Sequence, residues 1–498
     1  MDPAKPGEDK GLGIKGWLRG PKQKDLDRKP AGRLVAGRER IAILPFSNIS
    51  QNPLDEYFAD GMTEELISTL SKIATLKVIS RTSVMRYKHT DKSVEEISRE
   101  LNVGSILEGS VRKAADDLRI TVKLIDVEKD EHVWSQDYER KMQNVFAVQK
   151  EIARRVVESL PVNLLPKDEK SIEKEETRNV RAYELYLKGR FLWNKRSKES
   201  MTEALDRFQE AIWEDAYYPL PYVGLADAYS LLVINRHLPP SEGYPKAEQA
   251  LAKALSLDEG LGEAHATKGL LLSDDKWDWT GAEREYKRAI ELKPNYATAH
   301  QWYSILLGPA LGRMKEGLEE AQKAAELDPL SAIITLNLAD AYFGTGDLDR
   351  AAEYLEKAQR LDPHFQAILL IQAYLEVERH DYRKAIGLFE KIGAGFPESQ
   401  KDAQLGIAYS HAKSGNIDMA KQVFNQASPK PGEDYVSSID IAQYYSAIGD
   451  KDTAFEILNR AVENHAQELC QIRGFPESRV LASDPRFAEL LKRLNLPA

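Results

Sequence analysis

Residues 332–363 read AIITLNLADAYFGTGDLDRAAEYLEKAQRLDP, and their spacing decides the fold. In the second half, Ala351, Leu355 and Ala358 put a bulky residue between two small ones on one helical face, at i, i+4 and i+7. The small residues let a neighbouring helix approach closely, and the bulky one fills the groove between them. Upstream, Ala339 and Tyr342 mark a first helix, and Gly346 marks the turn that follows it. Pro363 ends the second helix, because proline lacks the N–H that a continuing helix needs. One such pair cannot bury its own apolar face, so further pairs must stack on it.

The element recurs on both sides. It appears as Ala204/Phe208/Ala211, Ala247/Leu251/Ala254, Ala282/Tyr286/Ala289 and Gly317/Ala321/Ala324. After residue 351 it continues as Ala385/Phe389/Ile392, Ala420/Phe424/Ala427 and Ala454/Leu458/Ala461. Successive first members lie 43, 35, 35, 34, 34, 35 and 34 residues apart, so the period is that of a two-helix unit. Pro294, Pro329 and Pro397 repeat the stop at Pro363, and Gly415 and Gly449 repeat the turn at Gly346. Two places depart from the pattern. The second unit carries about nine extra residues around 234–244, and the sixth has Ile392 at a small site and Glu376 at the usual aromatic site.

Ahead of the repeats, strands and helices alternate. Ile41–Phe46 reads as a buried strand, and a helix follows with Leu66, Ile67, Leu70 and Ile73 on one face. Residues 76–80 read as a second strand. Ser93 and Glu96 form a capping box ahead of Val94, Ile97 and Leu101. Strands are expected at 105–113, 118–127 and 132–140, with Asp116-Asp117 and Lys129-Asp130 as turns. A closing helix carries Val145, Val148, Ile152, Val156 and Leu160. The fold expected is an α/β N-terminal domain (41–160) followed by an all-α helical-repeat superhelix (180–465). Residues 1–40 read as a flexible basic tail, 161–179 as a charged linker and 466–498 as a C-terminal capping segment. The tail contains Gly11, Gly13 and Gly16 in a formal G-x-G-x-x-G, but without the strand and helix that a dinucleotide site requires.

The 34-residue spacing, the Ala/Phe/Ala element, the turn glycine and the terminal proline together resemble the tetratricopeptide repeat, over about eight units. Ile41-Ala-Ile-Leu-Pro-Phe46, Tyr57-Phe-Ala-Asp-Gly-Met-Thr-Glu-Glu-Leu66 and Leu107-Glu-Gly-Ser-Val-Arg112 resemble the TolB-like domain that precedes such repeats in bacterial and archaeal regulatory proteins. Ser483-Asp-Pro-Arg-Phe487, with Leu490 and Leu491, is similar to the cap of those proteins. The resemblance implies a regulatory role, because related modules are fused to nucleotide cyclases, kinases or winged-helix domains. Such a module is expected to precede Ile41, and the 40 residues given there are too few to hold one, so none is expected within them.

Composition sets the remaining bounds. The chain has 498 residues, so it is expected to hold more than one domain, and a formal net charge of −10, without the basic footprint of a nucleic-acid partner. Its single cysteine, Cys470, reads as a small core residue. No segment approaches the ~18 apolar residues of a membrane span, and no signal peptide is visible, so the cytoplasm is the expected location. The sequence shows no nucleophile elbow, P-loop, H-E-x-x-H or paired C-x-x-C, so no enzyme, cofactor or metal is expected. His265 and His300 read as packing or surface residues. Glu64-Glu65 and Asp116-Asp117 read as helix-start and turn acids, and Trp277 and Trp279 as inter-repeat core. By register, Trp302, Asp340, Phe343, Tyr409 and Gln443 are expected to line a concave groove that takes a protein or peptide. Asn337 has no matching lysine, which argues against a carboxylate clamp for a chain terminus. The N-terminal domain is expected to bind a second component or to self-associate.

Overall fold

The small and bulky stripe is the core of the array. In the computed structural model, which describes residues 37–174, 176–235, 237–427 and 437–497, every member of the eight elements is buried. The helices are α1 (Glu56–Leu70), α2 (Arg81–Val84), α3 (Val94–Leu101), α4 (Val145–Ser159) and α5 (Pro166–Glu173). The array then runs as consecutive pairs: α6 (Val180–Trp193) with α7 (Lys198–Glu214), α8 (Leu220–Ile234) with α9 (Pro240–Leu257), α10 (Gly262–Asp274) with α11 (Trp279–Leu292), and α12 (Ala297–Ile305) with α13 (Met314–Leu327). It continues with α14 (Ala332–Thr345) and α15 (Leu348–Leu361), α16 (Gln366–Glu378) and α17 (Tyr382–Gly395), α18 (Gln400–Lys413) and α19 (Ile417–Ala427), and α20 (Ser438–Ala447) and α21 (Lys451–Glu463). Short helices α22 (Ser478–Leu481) and α23 (Pro485–Arg493) follow.

Phe208 shows how the stripe works. A Cβ on Gly189 of its own pair, or on Gly224 of the next, would sit 2.5–2.6 Å from its ring. The ring is therefore clasped between two glycines, and close approach explains their identity. In seven of the pairs the inner turn puts one described residue in the left-handed region: Gly346, Gly415 and Gly449 as expected, Gly312 in pair four, and Arg196, Trp277 and His380 in pairs one, three and six.

The N-terminal domain is a mixed sheet. Its strands are β1 (Arg40–Ile43), β2 (Ser47–Asn48), β3 (Lys77–Val78), β4 (Ser105–Ala114), β5 (Asp117–Asp126) and β6 (Glu131–Lys141), in the order β3-β1-β4-β5-β6, with β2 paired to β4. β1 runs parallel to β3 and β4, whereas β4, β5 and β6 form an antiparallel meander. The Ser93–Glu96 capping box is present in both directions, at 2.8 and 3.3 Å.

Two expectations need correction. Residues 161–179 are not a solvated hinge. Asp168 caps the start of α5 through the Leu165 N–H, and both Asp168 and Ile172 are buried. Nor do Glu64 and Glu65 sit at a helix start. They lie in the third turn of α1, where Glu64 receives Arg190, Arg81 and Asn194. The expected tail and its glycine motif lie outside the described residues, apart from residues 37–40.

The domain lies along the array and is bound to it by specific hydrogen bonds. The Asn295 side chain, 4% exposed, donates to the carbonyls of Ser71, Ile73 and Leu76 at 3.3, 2.9 and 2.7 Å. The Ser80 N–H donates to the Leu327 carbonyl, the Ser83 hydroxyl to Asp328, and Arg86 to the Leu361 carbonyl. These partners are the last residues of α13 and α15 and residues of the loops after α11 and α13, beside the helix-ending prolines.

Candidate functional site

The residues expected to line an open groove are mostly covered by the chain itself. Tyr409 and Gln443 are each 2% exposed and Phe343 is 7% exposed. Phe343 belongs to the core between pairs four and six, with Leu336, Leu355 and Ile368. Tyr409 donates its hydroxyl to Glu477 at 3.1 Å. Gln443 donates to Asp440, which also accepts from Tyr374 at 2.9 Å. Trp302 and Asp340 are half-buried. Trp302 packs beside Ala266, Ala289 and Ala299, and burial pushes the Asp340 carboxyl up to about 6. Phe343, Tyr409 and Gln443 are thus corrected from contact surface to internal packing.

The C-terminal segment does the covering. Glu477 enters the first-helix side of pairs seven and eight and accepts from Tyr409, from Lys413 at 2.8 Å and from Ser446 at 2.9 Å. Desolvation opposes the charged form of Lys413, but its bond to Glu477 prevails and holds its pKa above the ordinary lysine value. Arg473 donates to the Leu311 carbonyl and Arg479 to the Gly344 carbonyl, so the segment also crosses pairs four and five. Beyond it, the Trp279 indole donates to the Leu494 carbonyl at 2.6 Å, and Trp277 stacks on His465 at 3.8 Å. Leu469, Cys470, Ile472, Phe475, Leu490 and Leu491 share one core with Trp277, Trp279, Tyr286 and Leu307. The end of the eighth pair therefore meets the third, and the capping segment joins them. The expected inter-repeat role of Trp277 and Trp279 is sharpened: their partner is the cap.

His265 and His300 form matching clasps. Each Nδ1 meets a glutamate of the second helix, Glu285 or Glu320, at 2.6 and 2.5 Å. Each Nε2 meets a backbone carbonyl at 3.0 Å. Among the described residues, no group of three or more His, Cys, Asp or Glu could hold a metal ion, and no helix is long and apolar enough to cross a membrane.

What the array offers outside is a different pair of aromatics. Trp213 and Tyr217 are 78% and 81% exposed, at the end of α7 and in the turn after it. Sequence reasoning passed over them. The signal was present, because Trp213 falls outside the Ala204/Phe208/Ala211 stripe and hence on the opposite face.

Residues 37–155 match the model of the second domain of HilA/YgeH-like transcriptional regulators. Residues 310–364 match a tetratricopeptide-repeat model. A protein of Rhizobium meliloti (strain 1021) named "Putative adenylate cyclase 3" is 38% identical over 179 residues, which make up 35% of this chain and 30% of that protein. Protein bimA of Emericella nidulans is 27% identical over 153 residues, 30% of this chain and 18% of that protein. The chain thus spans less than a third of the length of either relative. The crystal structure of YrrB, described as a TPR protein with an unusual peptide-binding site, shares 22% identity at a TM-score of 0.27, covering 40% of this chain and 94% of that one. The array is a helical-repeat scaffold of the tetratricopeptide type, and the domain ahead of it is similar to one found in HilA/YgeH-like regulators.

Proposed function

We propose that the chain is a non-catalytic scaffold that recruits a protein partner in the cytoplasm, and that the contact surface is the outer face of the first repeat pair rather than the groove. The observation that carries this is the exposure of Trp213 and Tyr217 on an array whose first-helix side faces its own N-terminal domain at one end and its own cap at the other. Large aromatics dominate interface energetics, and two of them this exposed are uncommon on a surface with no partner. The N-terminal domain, TolB-like in its motifs, serves a regulatory or assembly role, either by holding a second component or by self-association.

The double variant Trp213→Ala/Tyr217→Ala tests the reading. Neither side chain is packed, so stability should change by no more than ~0.5 kcal/mol. Affinity capture from the native host, followed by titration of the recovered partner, should show binding weakened by at least ~30-fold, the effect of about 2 kcal/mol at an anchor. Equal recovery by both proteins would count against this surface.

A second reading is favoured by the match at residues 37–155 and by the cyclase-named relative. In it the chain is the sensory or regulatory module of a transcription or cyclase-linked system whose output domain lies on another chain. Co-purification of a protein with such an output domain would select it.

A further inference from the structure

Between the N-terminal domain and the first helices of pairs one to four lies a cleft of about 150 Å³. Its walls include Arg81 and Thr82 from the domain, and Arg190, Trp193, Arg196 and Thr298 from the array. Most charges on the wall are matched. Glu64 takes Arg190 and Arg81, at 2.7 and 3.1 Å, and Asn194 at 3.1 Å. Asp227 accepts from Thr267 at 2.6 Å and meets Arg190 at 3.4 Å. Glu263 pairs with Lys293, and Asp328 with Ser83.

Arg196 is the exception. Among the described residues no carboxylate forms an ion pair with its guanidinium, which lies 3.5 Å from the centre of the Trp193 ring. Arg190 stands over the same ring at 4.3 Å. The Trp193 indole Nε1–H is itself buried without an acceptor. Arg196 is exposed to solvent and so open to a ligand, and the buried indole donor beside it has no acceptor; a negatively charged oxygen would serve both. Arg196 also holds a backbone φ of +61°, in the turn position that glycine fills in pairs five, seven and eight. A bulky residue in that conformation is costly, so its side chain is kept there at some expense. Glu65, the remaining carboxyl on the wall, makes no ion pair among the described residues. Burial and the adjacent Glu64 push it up to about 7, so it does not neutralise Arg196.

We propose that this cleft binds a small anion, a carboxylate or phosphate group, through the Arg196 guanidinium and the Trp193 indole N–H. The cleft volume suits the anionic end of a metabolite rather than a macromolecule. Binding there would stabilise the folded chain by mass action. The inference does not depend on the identity of any protein partner.

The test uses the full chain. Thermal unfolding is followed against increasing inorganic phosphate, against succinate and against chloride at matched ionic strength. The expected result is a saturating rise in Tm with phosphate or succinate that chloride does not give. Whichever anion acts identifies the source. Arg196→Gly places glycine where the left-handed backbone suits it, so this variant should fold at least as well as the parent. It should nevertheless bind the active anion at least ~10-fold more weakly, the loss of one charge-assisted contact. Trp193→Phe keeps the ring and removes only the donor, and should weaken binding in the same direction. No specific rise with either anion would overturn the proposal, and so would an equal rise in Arg196→Gly.

Discussion

Glu477→Ala is expected to destabilise the protein by about 2–3 kcal/mol, the effect of removing a buried carboxylate that accepts charge-assisted hydrogen bonds. The carboxylate is 2% exposed and serves three donors at once. Its loss takes the acceptor from Lys413, Tyr409 and Ser446 together and leaves the Lys413 ammonium only the more weakly acting Glu378 as counter-charge. Glu477→Gln keeps an acceptor oxygen and the shape, so its effect should be smaller. Lys413→Ala in the Glu477→Ala background should recover part of the loss, because the stranded cation is then gone. Urea unfolding of the four proteins measures this, and a Glu477→Ala change within ~0.5 kcal/mol of the parent would mean that the clasp is not formed in solution.

Asn295→Ala should cost about 1–3 kcal/mol, lost at a different seam. The two amide hydrogens of this side chain serve the carbonyls of Ser71, Ile73 and Leu76; without them Ser71 keeps the Asn295 backbone N–H and Ile73 the Leu76 N–H, and it is the Leu76 carbonyl that loses its donor. Each buried acceptor left without a donor costs ~1–3 kcal/mol. The sign of a second substitution is sharper. Asn295→Asp is nearly isosteric, but an ionised carboxylate only accepts, and here it would face three carbonyl oxygens. It should therefore be worse than alanine, although it is the more conservative change in shape. Because these bonds fasten the end of α1 to the array, the early event should be loosening of the domain, read as faster limited proteolysis between the two parts. Equal stability of Asn295→Asp and the parent would show that the amide is not buried in this way.

How much of this could be read from the sequence depends on the range of each contact. The eight stripes, the capping box and the three-stranded meander rest on neighbours within one or two helical turns or one hairpin, and their spacing carries them. The role of Asn295 does not appear in any periodicity. It looks like an ordinary residue after the stop at Pro294, and only the docked domain gives it three acceptors. The groove residues failed for a related reason. Their register places Tyr409 and Gln443 on first helices, but whether that side is open depends on where the third and eighth pairs come together. Small changes in geometry from pair to pair decide this over some 190 residues, the separation of His465 and Asp275. The cap's apolar residues were visible. The partners that receive them, Trp277 and Trp279, were visible too, but nothing in the spacing joins one to the other. Arg196 is a middle case: a non-glycine in the turn of a repeat that elsewhere prefers glycine is a local departure, and such departures are where function is expected to intrude on folding.

The central claim is that the array is closed by its own C-terminal segment, and Cys470 reports on it directly, being the chain's single cysteine. The thiol is buried in the core shared with Trp279 and Leu307, and burial together with Asp274 raises its pKa well above the ordinary thiol value. Thiolate is the reactive form, so both exclusion and protonation protect it. The measurement is the rate at which the folded protein reacts with a thiol-specific disulfide reagent such as DTNB, compared with the same protein in urea. The closed array predicts a native rate slower by on the order of 100-fold or more, limited by opening of the segment. Reaction of the native protein at the rate of a free thiol, with its helical circular dichroism intact, would contradict the account.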